Sequence, residues 1–511
     1  MDFFNAFKDF VEGEKIEKKQ AIFFKGQAAT YGELIAEADR VASGLTSWGI
    51  KKGDVVCIHV GNCTKFLSIF LGIAKCGAIA EPINILLTEY EIKPMLEQSK
   101  PKAIFVSPAY LPLVLKIKPS LPELRNCILM SEKAEEGTLS YEEFLKKSEG
   151  IQPTVEVAGD DVVLILFTAG TTGIPKGVML THTNLLSVVQ GQRNRFGPLG
   201  EMVTLCSLPL SHIYGLNTIT FASLMRKWSV VLEEWFQVEE TAKAIEKYRV
   251  SCILGVPTTV RSLVEVADRY DMRSIRLVLC GAAPVPEELY QKVEKDFGCI
   301  MTEGWGLTEG SGNATATPPG VCKVGSCGIP FDGIGLECAI VDKDDNPLPP
   351  GQVGELVQRG PLNMKGYWGN PEATAEILRN GWLHTGDLAR MDEEGYIYIV
   401  DRKKDMIIRG GFNIYPAEVE AVLYTHPSVK EAAVFGVSDE KKGETVAATL
   451  VPKPGERIDE DEMISYCQER LARFKVPKYI KISQDPLPKS STGKILRRRV
   501  KDDFEKESKQ L

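Results

Sequence analysis

Through the first 330 residues, short apolar runs rich in β-branched residues alternate with longer amphipathic stretches. "DVVCIHV" (54–60), "KAIFVS" (102–107), "DVVLILFT" (161–168), "SCILGVP" (251–257) and "IRLVLCGAAP" (275–284) are apolar almost throughout and read as strands buried on both faces. Segments 31–48, 64–76, 240–248 and 286–297 repeat apolar residues at helical spacing. Strand and helix in alternation predict an α/β fold with mostly parallel sheets, whose ligands gather at the strand carboxyl ends. Between 325 and 400 glycine and proline become frequent, and short strands at 336–342, 353–358 and 395–400 predict a small β-rich module. After a charged cluster comes a compact α+β pattern: helix 416–424, strands 430–437 and 444–451, helix 459–473 and strand 478–482. The change of texture predicts a large N-terminal domain (1–401) and a small C-terminal one (402–511). At the start, Phe3, Phe7, Phe10 and Val11 share one helical face. Docking on the protein's own core is expected of it. Weak peripheral contact with a membrane is the lesser alternative, because the polar face lacks the usual Lys/Arg.

Composition narrows the class of function. A chain of 511 residues exceeds one compact core, and 44% apolar with 25% charged residues is ordinary for a globular protein. A net charge of −8 argues against nucleic acid as a partner. Twelve cysteines without a C-x-x-C pair read as reduced thiols in a cytoplasmic protein. No apolar run approaches the roughly 20 residues of a membrane span. The best, "FLSIFLGIA" (66–74), ends at Lys75 and reads as a buried helix. No basic-then-apolar leader opens the chain, and its end, Ser508-Lys509-Gln510-Leu511, departs from a peroxisomal S-K-L and reads as a frayed tail. Monomer and homodimer are both left open.

The first candidate chemistry lies in "LILFTAGTTGIPKGVMLTH" (164–182), where a strand runs into a Gly/Thr-rich loop. Walker A needs Lys at the start of a helix, whereas Lys176 here follows Pro175, which disfavours a helix at that point. Even so, Gly170 and Gly173 let backbone N–H groups approach an anion, Thr168, Thr171 and Thr172 add hydroxyls, and Lys176 adds a charge. Three further segments are ambiguous alone. "TEGWGLTEGSG" (302–312) offers Trp305 for a flat ring and Glu309 for Mg²⁺, or a core Trp and a capping Glu. "GWLHTGDLARMDEEGYIYIVDRKKD" (381–405) offers Asp387 and Arg402 as sugar-hydroxyl partners, or a turn with a salt bridge. "PLPKSSTGKILRRRV" (486–500) offers Lys494 after a flexible lead-in, or a basic surface strip.

Taken together and in order, TAGTTGIPKG, GWGLTE, GWLHTGD, DRKKDMIIRGGFNIYPAEVE and PKSSTGK resemble the acyl-adenylate-forming superfamily, over roughly residues 20–500. That superfamily includes acyl- and aryl-CoA ligases, peptide-synthetase adenylation domains and luciferase. The resemblance implies two α/β subdomains plus a β-barrel, followed by a small mobile domain. It also implies that a carboxylate attacks the α-phosphate of MgATP and that a thiol then displaces AMP. By the same resemblance, Thr168, Ala169, Gly170, Thr171, Thr172, Gly173 and Lys176 hold the β- and γ-phosphates, and Thr168 and Glu309 serve Mg²⁺. Gly281, Ala282, Ala283, Gly304, Trp305, Gly306 and Thr308 border adenine, and Asp387 with Arg402 binds ribose. Lys494 bridges the substrate carboxylate and α-phosphate, Lys404 is the hinge, and Gly410 and Gly411 line the thiol's channel.

"SLPLSHIYGLN" (207–217) resembles the acyl-pocket segment of fatty- and aryl-CoA ligases, with His212 and Tyr214, and with Trp305 and Gly306, near the carboxylate end. No Asp that would grip an amino group is apparent, and no carrier-protein domain follows Lys494. Coenzyme A is therefore the expected acceptor. A medium- or long-chain fatty acid is the first expectation for the acid, and an aromatic or alicyclic acid the second. A luciferase-like oxygenase or a catalytically dead nucleotide-binding module are more distant alternatives. One departure stands out: Ala169 occupies a position where the family commonly has Ser.

Overall fold

The computed structural model describes residues 1–146, 153–168, 175–283, 285–409, 412–439, 442–490 and 493–508. The chain divides into two compact units, Met1–Cys338 with Gln358–Leu383, and Ala339–Val357 with His384–Leu511.

The first unit is built on two sheets. The eight-stranded sheet centres on parallel strands Val55–His59, Ile79–Pro82, Ala103–Val106 and Val162–Thr168. At one side Lys176–Thr181 folds back antiparallel on Val162–Thr168, with Thr168 opposite Lys176, and Gly366–Tyr367 adds to its far edge. In the nine-stranded sheet, Gln20–Phe24, Ser229–Leu232, Val203–Cys206, Cys252–Gly255, Leu277–Cys280 and Met301–Trp305 are neighbours, all parallel. Their side chains are buried nearly throughout, which is why the sequence shows continuous apolar runs. Expected strand 275–284 is only Leu277–Cys280, since Ala282 turns to φ +67° directly beyond it.

The apolar run at 66–74 lies in the buried helix Thr64–Lys75. The opening helix, Phe3–Gly13, is capped by Asp2, which accepts from Asn5 N–H at 2.9 Å. Phe3, Phe4, Phe7 and Val11 are buried, with the Phe3 ring 4.9 Å from Phe221 and 5.9 Å from Phe70. That face is occupied by the protein's own core and is not free for a membrane. No helix among the described residues is long and apolar enough to cross one.

The second unit contains strands Phe412–Ile414, Ile407–Arg409, Gly443–Pro452 and Val429–Asp439, joined by Tyr479–Ile482. Helices Pro416–Tyr424 and Glu460–Gln468 close its core of Ile407, Val419, Leu423, Val434, Leu450 and Met463. The expected helix 459–473 ends at Gln468, where Leu471 N–H turns back to Cys467 O at 2.8 Å. Expected strand 395–400 is Ile397–Arg402, and it pairs with a longer strand, Trp382–Met391, in the β-rich sheet. The segment around Lys404, expected as the hinge, is a turn inside this unit, with Met406 N–H bonded to Arg402 O at 3.2 Å.

Candidate active site

Four parallel strands of the nine-stranded sheet finish at one edge, and three of them release a segment singled out in the sequence. After Val203–Cys206 comes 207–217, whose latter part is π-helical from Tyr214 to Phe221. π-Turns inside helices often mark functional positions. The Tyr214 hydroxyl donates to Gly255 O at 3.2 Å, at the end of Cys252–Gly255. Just past Leu277–Cys280, a Cβ on Gly281 would lie 3.2 Å from Gly304 O and 3.3 Å from Tyr214 Oη, so these three strand ends touch. Ala282 is exposed and held at φ +67°, a conformation L-residues adopt only when their surroundings enforce it. Ala283 is half-buried. Trp305 closes its strand with its backbone N–H donated to Thr315 Oγ1, and at 8% exposure little of the ring is open to a ligand. Beyond it, a Cβ on Gly306 would meet Gly312 O at 1.8 Å, which admits only glycine. Burial pulls the His212 pKa down to about 4, leaving a neutral imidazole whose Nδ1 accepts from Tyr214 N–H at 3.1 Å.

A second group converges from the antiparallel pair Val162–Thr168 and Lys176–Thr181. Thr308–Gly310 forms a short 3₁₀ turn, and Glu309 O accepts from Met364 N–H at 2.8 Å. Lys365 N–H donates to Met179 O at 2.9 Å and Trp368 N–H to Gly177 O at 2.7 Å, so 364–368 runs between that turn and the hairpin strand. Within this bridge the Tyr367 hydroxyl donates to Glu309 Oε1 at 3.0 Å, and Lys176 Nζ lies 5.0 Å from the Tyr367 ring centroid. Burial, and then the Glu309 carboxylate, raises the Tyr367 pKa and keeps its proton in place. Thr168 Oγ1 reaches Lys176 O at 3.5 Å. Ala169, Gly170, Thr171, Thr172 and Gly173 lie outside the described residues.

Among the described residues no cluster of three or more His, Cys, Asp or Glu could hold a metal on its own. A single carboxylate with a hydroxyl nevertheless suits a hard cation that keeps waters and substrate phosphates as its other ligands. Glu309 offers such a carboxylate and Thr168 such a hydroxyl.

In the second unit Asp387 is buried and faces Arg402 across the strand pair, Oδ1 to Nε at 2.5 Å. Lys494 ends a tight loop: Ser490 N–H donates to Lys494 O at 2.7 Å, and Lys494 N–H to Ser490 Oγ at 3.2 Å. Desolvation, and after it the Arg402 charge, holds the Lys494 pKa below the ordinary lysine value, with Asp387 opposing. Lys494 is nonetheless exposed as a residue. Lys404 is exposed in its turn, and Gly410 and Gly411 lie outside the described residues. Sequence reasoning missed Tyr367 and Arg497. The latter binds Asp405 at 2.8 Å and Glu420 at 2.9 Å, and reaches Asp401 at 3.4 Å.

A family model described as AMP-binding enzyme matches residues 10–368, and one described as AMP-binding enzyme C-terminal domain matches 418–494. The chain is 36% identical to a feruloyl-CoA synthase of Amycolatopsis, over 95% of this chain and 96% of that one. It is 35% identical to a long-chain-fatty-acid–CoA ligase of Bacillus subtilis, covering 94% and 91%. Identity to 4-coumarate–CoA ligase 2 of Nicotiana tabacum is 36%, covering 92% and 89%. Among solved structures it resembles ATP-bound MatB from Rhodopseudomonas palustris, with TM-score 0.88, 28% identity and 99% of both chains covered. It also resembles the Bacillus subtilis o-succinylbenzoate coenzyme A synthetase in complex with ATP and magnesium ion, with TM-score 0.84, 30% identity and 98% and 100% covered.

Proposed function

Because this chain belongs to the AMP-binding enzyme family and is an AMP-forming acid–thiol ligase, we propose that it joins a medium- or long-chain fatty acid to coenzyme A at the expense of ATP. The observation that carries this reading is the apolar character of segment 207–217, where Leu208, Leu210, Ile213 and Leu216 are buried. The Tyr214 hydroxyl is committed to Gly255 O, and His212 is kept neutral with Nδ1 on a backbone N–H. An apolar tail suits such surroundings better than a phenol that needs its own hydrogen-bond partner.

Lys176 and the loop 169–173 hold the β- and γ-phosphates, while Thr168 and Glu309 are the donors for Mg²⁺, which supplies charge neutralisation when bound. Tyr367 fixes the orientation of Glu309. Gly281, Ala282, Ala283, Gly304, Gly306 and Thr308 border adenine, the edge of Trp305 included, and Asp387 and Arg402 take the ribose hydroxyls. Lys494 neutralises the acid's carboxylate and the α-phosphate as they come together, where repulsion between two anions in a dry site would otherwise be large. The carboxylate oxygen bonds to α-phosphorus as the bond to the leaving pyrophosphate breaks. Movement at Lys404 then withdraws Lys494 and presents 410–411 to the coenzyme A thiol. The thiol's sulfur attacks the acyl carbon with loss of its proton, and AMP leaves.

An aromatic acid is the second reading, favoured by relatives named feruloyl-CoA synthase and 4-coumarate–CoA ligase at 36% identity. Acid-dependent ATP–pyrophosphate exchange and thioester formation, measured in parallel with octanoate, palmitate, ferulate and 4-coumarate, decide between them. The highest kcat/KM is expected for a fatty acid. A preference of about tenfold or more for ferulate or 4-coumarate selects the second reading.

A further inference from the structure

We propose that Asn62 is a positioning residue for the acid, acting by pinning the carboxyl edge of one sheet to that of the other. The inference rests on the assignment of 207–217 to the acid's pocket. Asn62 stands just past Val55–His59, in the sheet that also carries Thr168 and Lys176, and is 8% exposed. Its Oδ1 accepts from Leu210 N–H at 2.8 Å. Its Nδ2 donates to Leu208 O at 2.9 Å and to Glu233 O at 2.8 Å. Leu208 and Leu210 open the acid segment after Val203–Cys206, and Glu233 follows Ser229–Leu232, so both belong to the nine-stranded sheet.

One planar amide thus holds two loops of the second sheet from a loop of the first, where the reaction needs the acid and the phosphates in register. Only an amide of this length offers two donors and an acceptor in that plane. Beyond the pin the segment is braced internally. His212 N–H donates to Pro209 O at 3.0 Å, Leu216 N–H to His212 O at 3.0 Å, and Thr220 Oγ1 to Gly215 O at 2.7 Å. A shift at 208–210 is therefore carried as a body to His212 and Tyr214, and misplacement by about 1 Å can cost on the order of a hundredfold in rate.

Asn62→Asp keeps the acceptor for Leu210 but sets an oxygen against two carbonyls, whereas Asn62→Ala removes everything. In the full chain, with an acid the wild type uses, Asn62→Asp is expected to raise the KM for the acid by about tenfold while the KM for ATP stays within about twofold. Its activity relative to wild type should recover between about pH 8 and about pH 6, as a protonated carboxyl regains a donor; Asn62→Ala should show no recovery. Equal rises in both KM values, or the same pH-independent ratio for both variants, overturn the pin. Should Asn62→Asp not fold, Asn62→Ser decides by hydrogen exchange. Faster exchange confined to 207–217, with 176–181 still protected, supports the pin, and unchanged exchange at 207–217 overturns it. Absence of acid-dependent exchange by the wild type with all four acids overturns the substrate reading instead, and the hydrogen-exchange comparison still decides the role of Asn62.

Discussion

Tyr367 serves two opposite charges with one side chain, its hydroxyl on Glu309 at 3.0 Å and its ring beneath Lys176 at 5.0 Å. Tyr367→Phe keeps the ring for Lys176 and removes only the bond to the carboxylate. Hydrogen bonds to charged groups contribute about 1.5–3 kcal/mol, and about 1.4 kcal/mol is tenfold. The kcat/KM for MgATP in pyrophosphate exchange should therefore fall roughly ten- to hundredfold, with the KM for the acid little changed. Activity within about twofold of wild type would show that Glu309 is held by its backbone alone. At Lys494 the expectation is a split: Lys494→Ala abolishes adenylation but spares thioester formation from preformed acyl-AMP, and equal loss of both halves refutes the assigned role. Ala169→Ser, adding a hydroxyl to the loop proposed to hold phosphate, should lower the KM for ATP, and an unchanged or higher value would make that position silent. Of these residues only Tyr367 was invisible in the sequence, because its partner Glu309 lies 58 positions away along the chain.

The opening helix Phe3–Gly13 depends on a neutral histidine. Its Phe3 N–H donates to Nδ1 of buried His182 at 3.0 Å, an acceptor that protonation would abolish. Burial lowers the His182 pKa from 6.5 to about 4, against the pull of Asp2 and Asp161, while the N-terminus and Lys52 lower it further. Between these two values the unfolded chain binds a proton that the folded chain refuses. The contribution to stability is thus complete above 6.5 and is lost as pH falls toward 4. His182→Gln, whose amide oxygen can accept the same N–H without titrating, should lose less Tm than wild type between about pH 7 and about pH 5. Equal losses would place the acid sensitivity elsewhere, for example at His59 or His212, which burial lowers in the same way. This helix was legible because one-sided burial stamps a period on the sequence, and Val162–Thr168 because burial on both faces leaves a continuous apolar run. Trp382–Met391 was not, since "WLHTGDLARM" is interrupted by Gly386 at φ +69° and carries His384 and Asp387 inward as buried polar groups. The π-helical turn at 214–221 was equally hidden, because an extra residue in a helix leaves no local signature in an apolar run.

At the scale of the whole chain, motif order predicts two parts dividing near 401, while compact packing divides the chain at Cys338/Ala339, Val357/Gln358 and Leu383/His384. The two descriptions answer different questions, one where the chain packs and the other where it is proposed to turn. Residues 384–391 and Ile397–Arg402 group with the C-terminal residues because Asp387 pairs with Arg402, and Asp401 accepts from Ala417 N–H at 2.7 Å. Arg497 meets Asp401 on one side of Lys404 and Asp405 on the other, so rotation at Lys404 must break part of that set. Lys404→Pro tests where the turning occurs. Proline fixes φ near −65° and would hold one arrangement of the proposed hinge. In single-turnover experiments the variant should form acyl-AMP at close to the wild-type rate, yet transfer it to coenzyme A at least about tenfold more slowly, so that acyl-AMP accumulates. Undiminished transfer would remove Lys404 as the hinge and shift attention to the crossing at Leu383/His384, where the packing boundary lies only four residues before Asp387. Loss of both steps together would mean that Pro disturbs the Arg402 turn itself, which a weakened Asp387–Arg402 pair would report as a raised KM for ATP.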